Sequence, residues 1–75
     1  MTNQPIKNSI LRYRFDHGEM TQKDLAEQVG VTRQTIVAIE NAKYSPTLEL
    51  AFKIAEVFDA SIEEVFQYQS PGGSR

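Results

Sequence analysis

The chain has 75 residues, 40% of them apolar, with no cysteine, one histidine, and 8 Lys plus Arg against 10 Asp plus Glu for a net charge of −2. A chain this short holds one core and buries only about 60% of the surface it exposes when unfolded, and its composition excludes disulfide staples, thiolate metal sites and multi-histidine centres. Met1 to Pro5 is polar and no apolar run approaches the ~20 residues of a bilayer span, which predicts a cytoplasmic protein without a membrane partner.

Apolar residues recur at helical spacings, and the breaks carry helix caps in place of hairpin turns, so the chain reads as all-α with five short helices. The first is expected from Ile6 to His17, with Ile6, Ile10 and Leu11 inward, Tyr13 or Phe15 at the boundary, and Gly18 as its end. The second starts at Thr21, whose hydroxyl caps it while Asp24 reaches back to complete a capping box. Its inner face is Leu25, Ala26 and Val29, and it stops at Gly30, where glycine adopts positive φ without a Cβ penalty.

Thr32 caps the third helix, Ile36 and Ile39 face inward, and the helix fades near Ala42 before the loop Lys43 to Pro46. The fourth runs from Thr47 to about Phe58, with a stripe of Leu48, Ala51, Phe52, Ala55 and Phe58, and Asp59 marks its end. Ser61 caps the last helix with Glu64 as capping-box partner and Ile62, Val65 and Phe66 inward, after which Gln67 to Gln69 extend as a short strand. Residues 1–69 form the expected single domain, and Ser70 to Arg75 a low-complexity, disordered tail.

The average charge hides an asymmetry, because residues 1–46 hold six basic against five acidic side chains while residues 47–75 hold two against five. One face can meet phosphate, and the acidic half supplies a solvated back.

Gln22 to Asn41 contains two helices separated by a turn of three or four residues. Two helices crossing at roughly 90 to 120° need a small side chain at the contact, a residue of free φ in the turn and branched apolar wedges on the second helix. Ala26, Gly30, Val31, Ile36 and Ile39 supply these. With Thr21-Gln22 opening the first helix of the pair, Thr32-Arg33-Gln34-Thr35-Ile36 opening the second, Ile39-Glu40-Asn41 closing it and Lys43-Tyr44-Ser45-Pro46-Thr47-Leu48 following, the chain resembles the lambda-repressor-like Cro/CI (Xre) helix-turn-helix family over about residues 6–66. Two positions depart from the family pattern: Ala42 stands where a glycine is usual, and the first helix runs one residue longer before Met20.

The resemblance implies a five-helix fold with the helix-turn-helix as helices 2 and 3, and a stand-alone regulator of transcription that binds double-stranded DNA as a homodimer. It also suggests Arg14 as the cation that neutralises Glu40, which would otherwise repel phosphate. The alternative is two exposed charges, worth about 0–1 kcal/mol as a pair.

The residues of the second motif helix fit this independently. With Ile36 and Ile39 inward, Arg33, Gln34, Val37, Ala38 and Asn41 fall on the outer side, a face slim enough for a major groove about 12 Å wide. Arg33 matches guanine O6 and N7, Gln34 matches adenine N6 and N7, and Val37 and Ala38 offer methyls to thymine. Each bidentate pair discriminates by about 1–3 kcal/mol. Gln22 at a helix start, with Asn41, Lys43 and Tyr44 on the other side, is expected at phosphates. Thr35 is expected at a phosphate as well, and Thr32 is a secondary phosphate contact whose first role, like that of Thr21, is capping. So few lysines predict a shallow salt dependence.

Nothing in the chain assembles an enzyme. His17 sits at a helix end, the serines have capping or loop roles, and Gly72-Gly73 follows no strand, so no nucleophile, phosphate cradle, cofactor site or small-molecule site is expected. A single copy reads only a half-site, so a symmetric dimer is expected, with Val57, Phe58, Ile62, Val65, Phe66 and Tyr68 as its interface. The alternative is that these six are all core. A repressor is favoured over an activator because the chain leaves no room for a separate activation or sensor domain. A protein-interaction module that works through the acidic second half is the competing function class.

Overall fold

Side-chain hydroxyls and one amide set where the helices begin. In the computed structural model, which describes residues 6–68, the order is β1 (Ile6–Asn8), α1 (Ile10–Asp16), α2 (Gln22–Val29), α3 (Arg33–Glu40), α4 (Leu48–Val57), α5 (Ile62–Val65) and β2 (Phe66–Tyr68). Thr21, Thr32, Thr47 and Ser61 each accept a hydrogen bond from the backbone N–H three residues on, and Thr21 with Asp24 and Ser61 with Glu64 form complete capping boxes. Each such bond satisfies a donor that the helix itself leaves orphaned. At α1 the N-cap Ser9 makes no side-chain cap bond; the Asn8 Oδ1 accepts from the Ile10 N–H at 3.2 Å instead.

The core is one cluster drawn from every helix: Ile10, Leu25, Ala26, Val29, Ile36, Ile39, Leu50, Ile54, Ala55, Phe58 and Val65 are buried. Tyr13 and His17 of the first helix end pack their rings on Phe58, at centroid distances of 5.4 and 5.2 Å. The His17 Nδ1 lies 2.8 Å from the Tyr13 carbonyl. The same carbonyl accepts from the His17 backbone N–H at 3.1 Å, so the end of α1 and the ring that packs on Phe58 share one acceptor.

Three expectations are corrected. Ile6 to Asn8 is a strand, antiparallel to Phe66–Tyr68 with Ile6 opposite Tyr68 and Asn8 opposite Phe66, so α1 starts four residues later than expected and Phe66 leaves the helix for β2. On α1, Leu11 is 63% exposed and Phe15 is 65% exposed. The inward face there is Ile10 with half-buried Tyr13 and Arg14. On α4, Leu48 and Phe52 are exposed, and Leu50 and Ile54 take the inner positions beside Ala51 and Ala55. Gln69 of the expected strand and the tail to Arg75 lie outside the described residues.

Helix ends show where backbone freedom matters. Gly30 closes α2 at φ 79°, as its position predicts. At the end of α3 the Ala42 N–H bonds the Ile39 carbonyl and the Lys43 N–H bonds the Ala38 carbonyl, at 3.0 and 2.9 Å, with Ala42 at φ 59°. This is the Schellman arrangement, which glycine usually completes. The Ala42 methyl costs about 1–2 kcal/mol in this left-handed conformation, against about 0.4–1 kcal/mol for the looser unfolded chain that glycine brings. Ala42→Gly is therefore expected to stabilise the protein by about 0.5–1 kcal/mol, read as a higher urea midpoint at unchanged slope. A lower midpoint would contradict it.

Candidate nucleic-acid interface

The crossing of α2 and α3 begins with a three-residue turn. The Gly30 and Val31 N–H groups both reach back to the Ala26 carbonyl, at 2.9 and 3.0 Å, and Thr32 then caps α3. Ala26, 2% exposed, is the small residue that lets the helices approach, while Ile36 and Ile39 drive α3 into the core and Val31 packs at its margin. The result holds one face of α3 outward at an angle set by packed side chains.

On that face Arg33 and Gln34 are exposed at the first turn, Val37 and Ala38 are half-buried in the middle, and Asn41 is exposed at the end. Helices α2, α4 and α5 each carry an acidic side chain in the first turn, where the helix dipole favours it; α3 carries none and starts with Arg33. A cation at a helix start opposes the dipole, so Arg33 adds nothing to the stability of α3. Thr32 and Thr35 are occupied with one another, since the Thr35 N–H donates to the Thr32 hydroxyl at 3.2 Å and the two hydroxyl oxygens lie 3.0 Å apart. Lys43 and Tyr44 are exposed on the loop that follows α3.

Behind this face, one carboxylate joins three helices. The Arg14 Nε donates to Glu40 Oε2 at 2.7 Å and its Nη2 to Oε1 at 3.2 Å, while Nη1 donates to the Met20 carbonyl at 2.8 Å. The Gln22 Nε2 also donates to Glu40 Oε1, at 3.1 Å. The two charged side chains are only 12% and 10% exposed, so the negative charge of Glu40 is matched where it stands. Gln22, expected simply at a phosphate, is half-buried and has one amide proton committed to Glu40.

Two participants were missed by sequence reasoning. The Met20 carbonyl carries no side-chain signal at all. Asn8 bonds the Ile10 N–H and donates its Nδ2 to the Ile39 carbonyl at 2.9 Å; an asparagine two residues ahead of an apolar helical run is a start signal that could have flagged its first role. Of the six residues expected at a dimer interface, Phe58 and Val65 lie inside the chain's own core, at 2% and 0% exposure. Val57, Ile62 and Phe66 are half-buried, and Tyr68 is exposed. Among the described residues no group of three or more His, Asp or Glu side chains converges as a metal site, and no helix is long and apolar enough to cross a membrane.

Comparison with known proteins agrees with this geometry. A helix-turn-helix family model matches residues 11–65. A protein of Methanocaldococcus jannaschii is 53% identical over 64 residues, covering 85% of this chain and 96% of the relative. A protein of Methanothermobacter thermautotrophicus is 50% identical over 68 residues, covering 89% and 97%. One from Bacillus subtilis is 48% identical over 63 residues, covering 81% and 91%. All three are described as uncharacterized HTH-type transcriptional regulators. With a family match across most of the chain and the two crossed helices in place, this protein belongs to the lambda-repressor-like, Cro/CI helix-turn-helix family.

Proposed function

We propose that the protein is a transcriptional regulator that reads double-stranded DNA by inserting α3 into the major groove, as a homodimeric repressor on a pseudo-palindromic operator. The observation that carries this reading is the exposed Arg33-Gln34 pair at the first turn of a helix whose other face is locked into the core. These two side chains have the donor and acceptor patterns of guanine and adenine edges. Val37 and Ala38 supply slim apolar contacts behind them. Gln22, Asn41, Lys43 and Tyr44 flank the helix as phosphate ligands, joined by Thr32 and Thr35, which position the protein without reading sequence.

The relatives' descriptions support the regulatory role. The homodimer follows from the small footprint of one copy, and its contact surface is Tyr68 with the exposed parts of Val57, Ile62 and Phe66. Phe58 and Val65 shape that surface from beneath. Repression needs no more than occupancy of the site, which a small DNA reader achieves by itself. The regulator acts as a single domain in the cytoplasm.

Selection of bound sequences from a random double-stranded pool tests the reading. The expected product is an inverted repeat with half-site centres about 34 Å apart, bound by a species that sediments as a dimer. Recovery of no motif at low salt from folded protein overturns the DNA reading, and a monomer on the selected site overturns the dimer. A partner-binding module is the second reading, favoured by exposed Leu48 and Phe52 on the helix that also carries Glu49 and Glu56. Absence of a DNA motif together with co-purification of a basic protein would replace the first reading with it.

A further inference from the structure

Asn8, like Arg14, reaches the end of α3 from outside the helix pair, but it takes hold of the backbone of that helix and not of a side chain. Its amide bridges two helix termini: Oδ1 accepts from the Ile10 N–H at 3.2 Å, and Nδ2 donates to the Ile39 carbonyl at 2.9 Å. The chemistry of the partners fixes which way the amide faces, since the first can only donate and the second can only accept. Strand pairing in turn fixes Asn8, which lies opposite Phe66 next to the Ser9 N–H bond to the Val65 carbonyl at 2.8 Å.

The Ile39 carbonyl is shared with the Ala42 N–H at 3.0 Å, in the helix ending that launches Asn41, Lys43 and Tyr44. That ending places Ala42, with its Cβ, at φ 59°, so it lacks the ease with which glycine closes a helix and depends more on support from outside. The support is the small sheet. Ile6, Asn8 and Phe66 of the sheet share the lining of a small crevice with Ala42, Tyr44 and Pro46.

We infer that Asn8 is a positioning residue for phosphate binding: its amide, seated by the β1–β2 pairing, clamps the Ile39 carbonyl and so sets the geometry of the loop that presents Asn41, Lys43 and Tyr44 to the DNA backbone. This rests on the proposed DNA reading. Arg33 and Gln34 lie at the opposite end of α3, so loss of the clamp weakens backbone contacts and leaves base preference in place. The two terminal strands thereby act on DNA affinity without touching DNA.

The test uses the full chain with Asn8→Ala, which removes both bonds, and Asn8→Asp, which retains an acceptor for the Ile10 N–H but has no donor for the Ile39 carbonyl. Both variants are expected to bind the duplex selected by the unmodified protein, and an unrelated duplex, about 5- to 10-fold more weakly. Both should keep the selected motif and show a shallower dependence of binding on salt, as fewer phosphates are engaged. Amide NMR signals from Ile39 to Tyr44 should move in both. The alanine variant is neutral, so a loss common to the two cannot come from the added carboxylate. Ala51→Gly, which weakens the interior of α4 away from the α3 ending and from the β1–β2 pair, is the control for lowered stability and should bind within about twofold of the unmodified protein.

Unchanged affinity and salt dependence in both folded variants would overturn the inference, as would an equal loss in Ala51→Gly. If the unmodified protein selects no sequence, the DNA reading fails and takes the phosphate role with it. Unmoved Ile39 to Tyr44 signals in Asn8→Asp would instead overturn the clamp, whatever the DNA result.

Discussion

Replacing Glu40 with alanine is expected to lower stability by about 2–4 kcal/mol, because it strands a guanidinium that has little access to water. Removing one partner of a fully buried ion pair costs about 3–5 kcal/mol, and the side chains here are 12% and 10% exposed, which moderates the figure. Arg14 would lose two of its three hydrogen bonds, keeping the one to the Met20 carbonyl, and Gln22 would lose its acceptor. Arg14→Ala should cost a similar amount by leaving the Glu40 carboxylate with Gln22 as its remaining side-chain donor. The double variant should then be less destabilised than the sum of the two, by at least about 1 kcal/mol. Urea midpoints of the four proteins check this, and strictly additive effects would mean that the pair contributes nothing beyond its separate side chains. Glu40→Gln should fall between, since it keeps an acceptor for Arg14 and loses the charge that strengthens those bonds.

Arg33→Ala and Gln34→Ala are expected to cost about 10- to 100-fold each in affinity for the selected DNA, corresponding to about 1–3 kcal/mol per lost bidentate contact. Each should relax selection at its own base position while the rest of the motif survives. The stability of both variants should stay within about 0.5 kcal/mol of the parent, because both side chains are exposed. For Arg33 the change should even favour the helix slightly, since it removes a cation from an N-terminus. The two substitutions also differ in a way that separates their roles: Arg33→Ala removes a positive charge and should flatten the salt dependence, whereas Gln34→Ala should leave it intact. Selection of an unaltered motif by either variant would remove that residue from the reading face.

These two experiments address different layers of the same helix. Glu40 is on α3 but acts inward, holding the helix to α1 and α2; Arg33 and Gln34 act outward and leave the packing alone. A variant with weaker DNA binding but normal stability therefore points to the outer face. A variant with lowered stability and normal base preference points to the hub behind it.

The sequence by itself determined what is decided within a few residues of chain. Helix starts at Thr21, Thr32, Thr47 and Ser61, the stop at Gly30, and the inward faces of α2 and α3 all follow from capping chemistry and a single clear apolar period. What required tertiary structure is of another kind. Strand β1 exists because Phe66–Tyr68 lies beside it; three residues have too little local preference to announce a strand whose partner is at the far end of the chain. Helix α4 sets a polar stripe of Glu49, Lys53 and Glu56 against a wide apolar arc that runs from Leu48 and Phe52 through Ile54 to Val57, so periodicity indicates the side, and docking against the core decided that Leu50, Ala51, Ile54 and Ala55 are buried and Leu48 and Phe52 are not. The same holds for the contacts that tie α3 down: Asn8 to Ile39 spans 31 residues, Gln22 to Glu40 spans 18, and Arg14 to Glu40 spans 26. Hydrogen bonds between distant side chains leave no periodic trace along the chain, because they depend on where whole helices come to rest once their apolar faces have been buried.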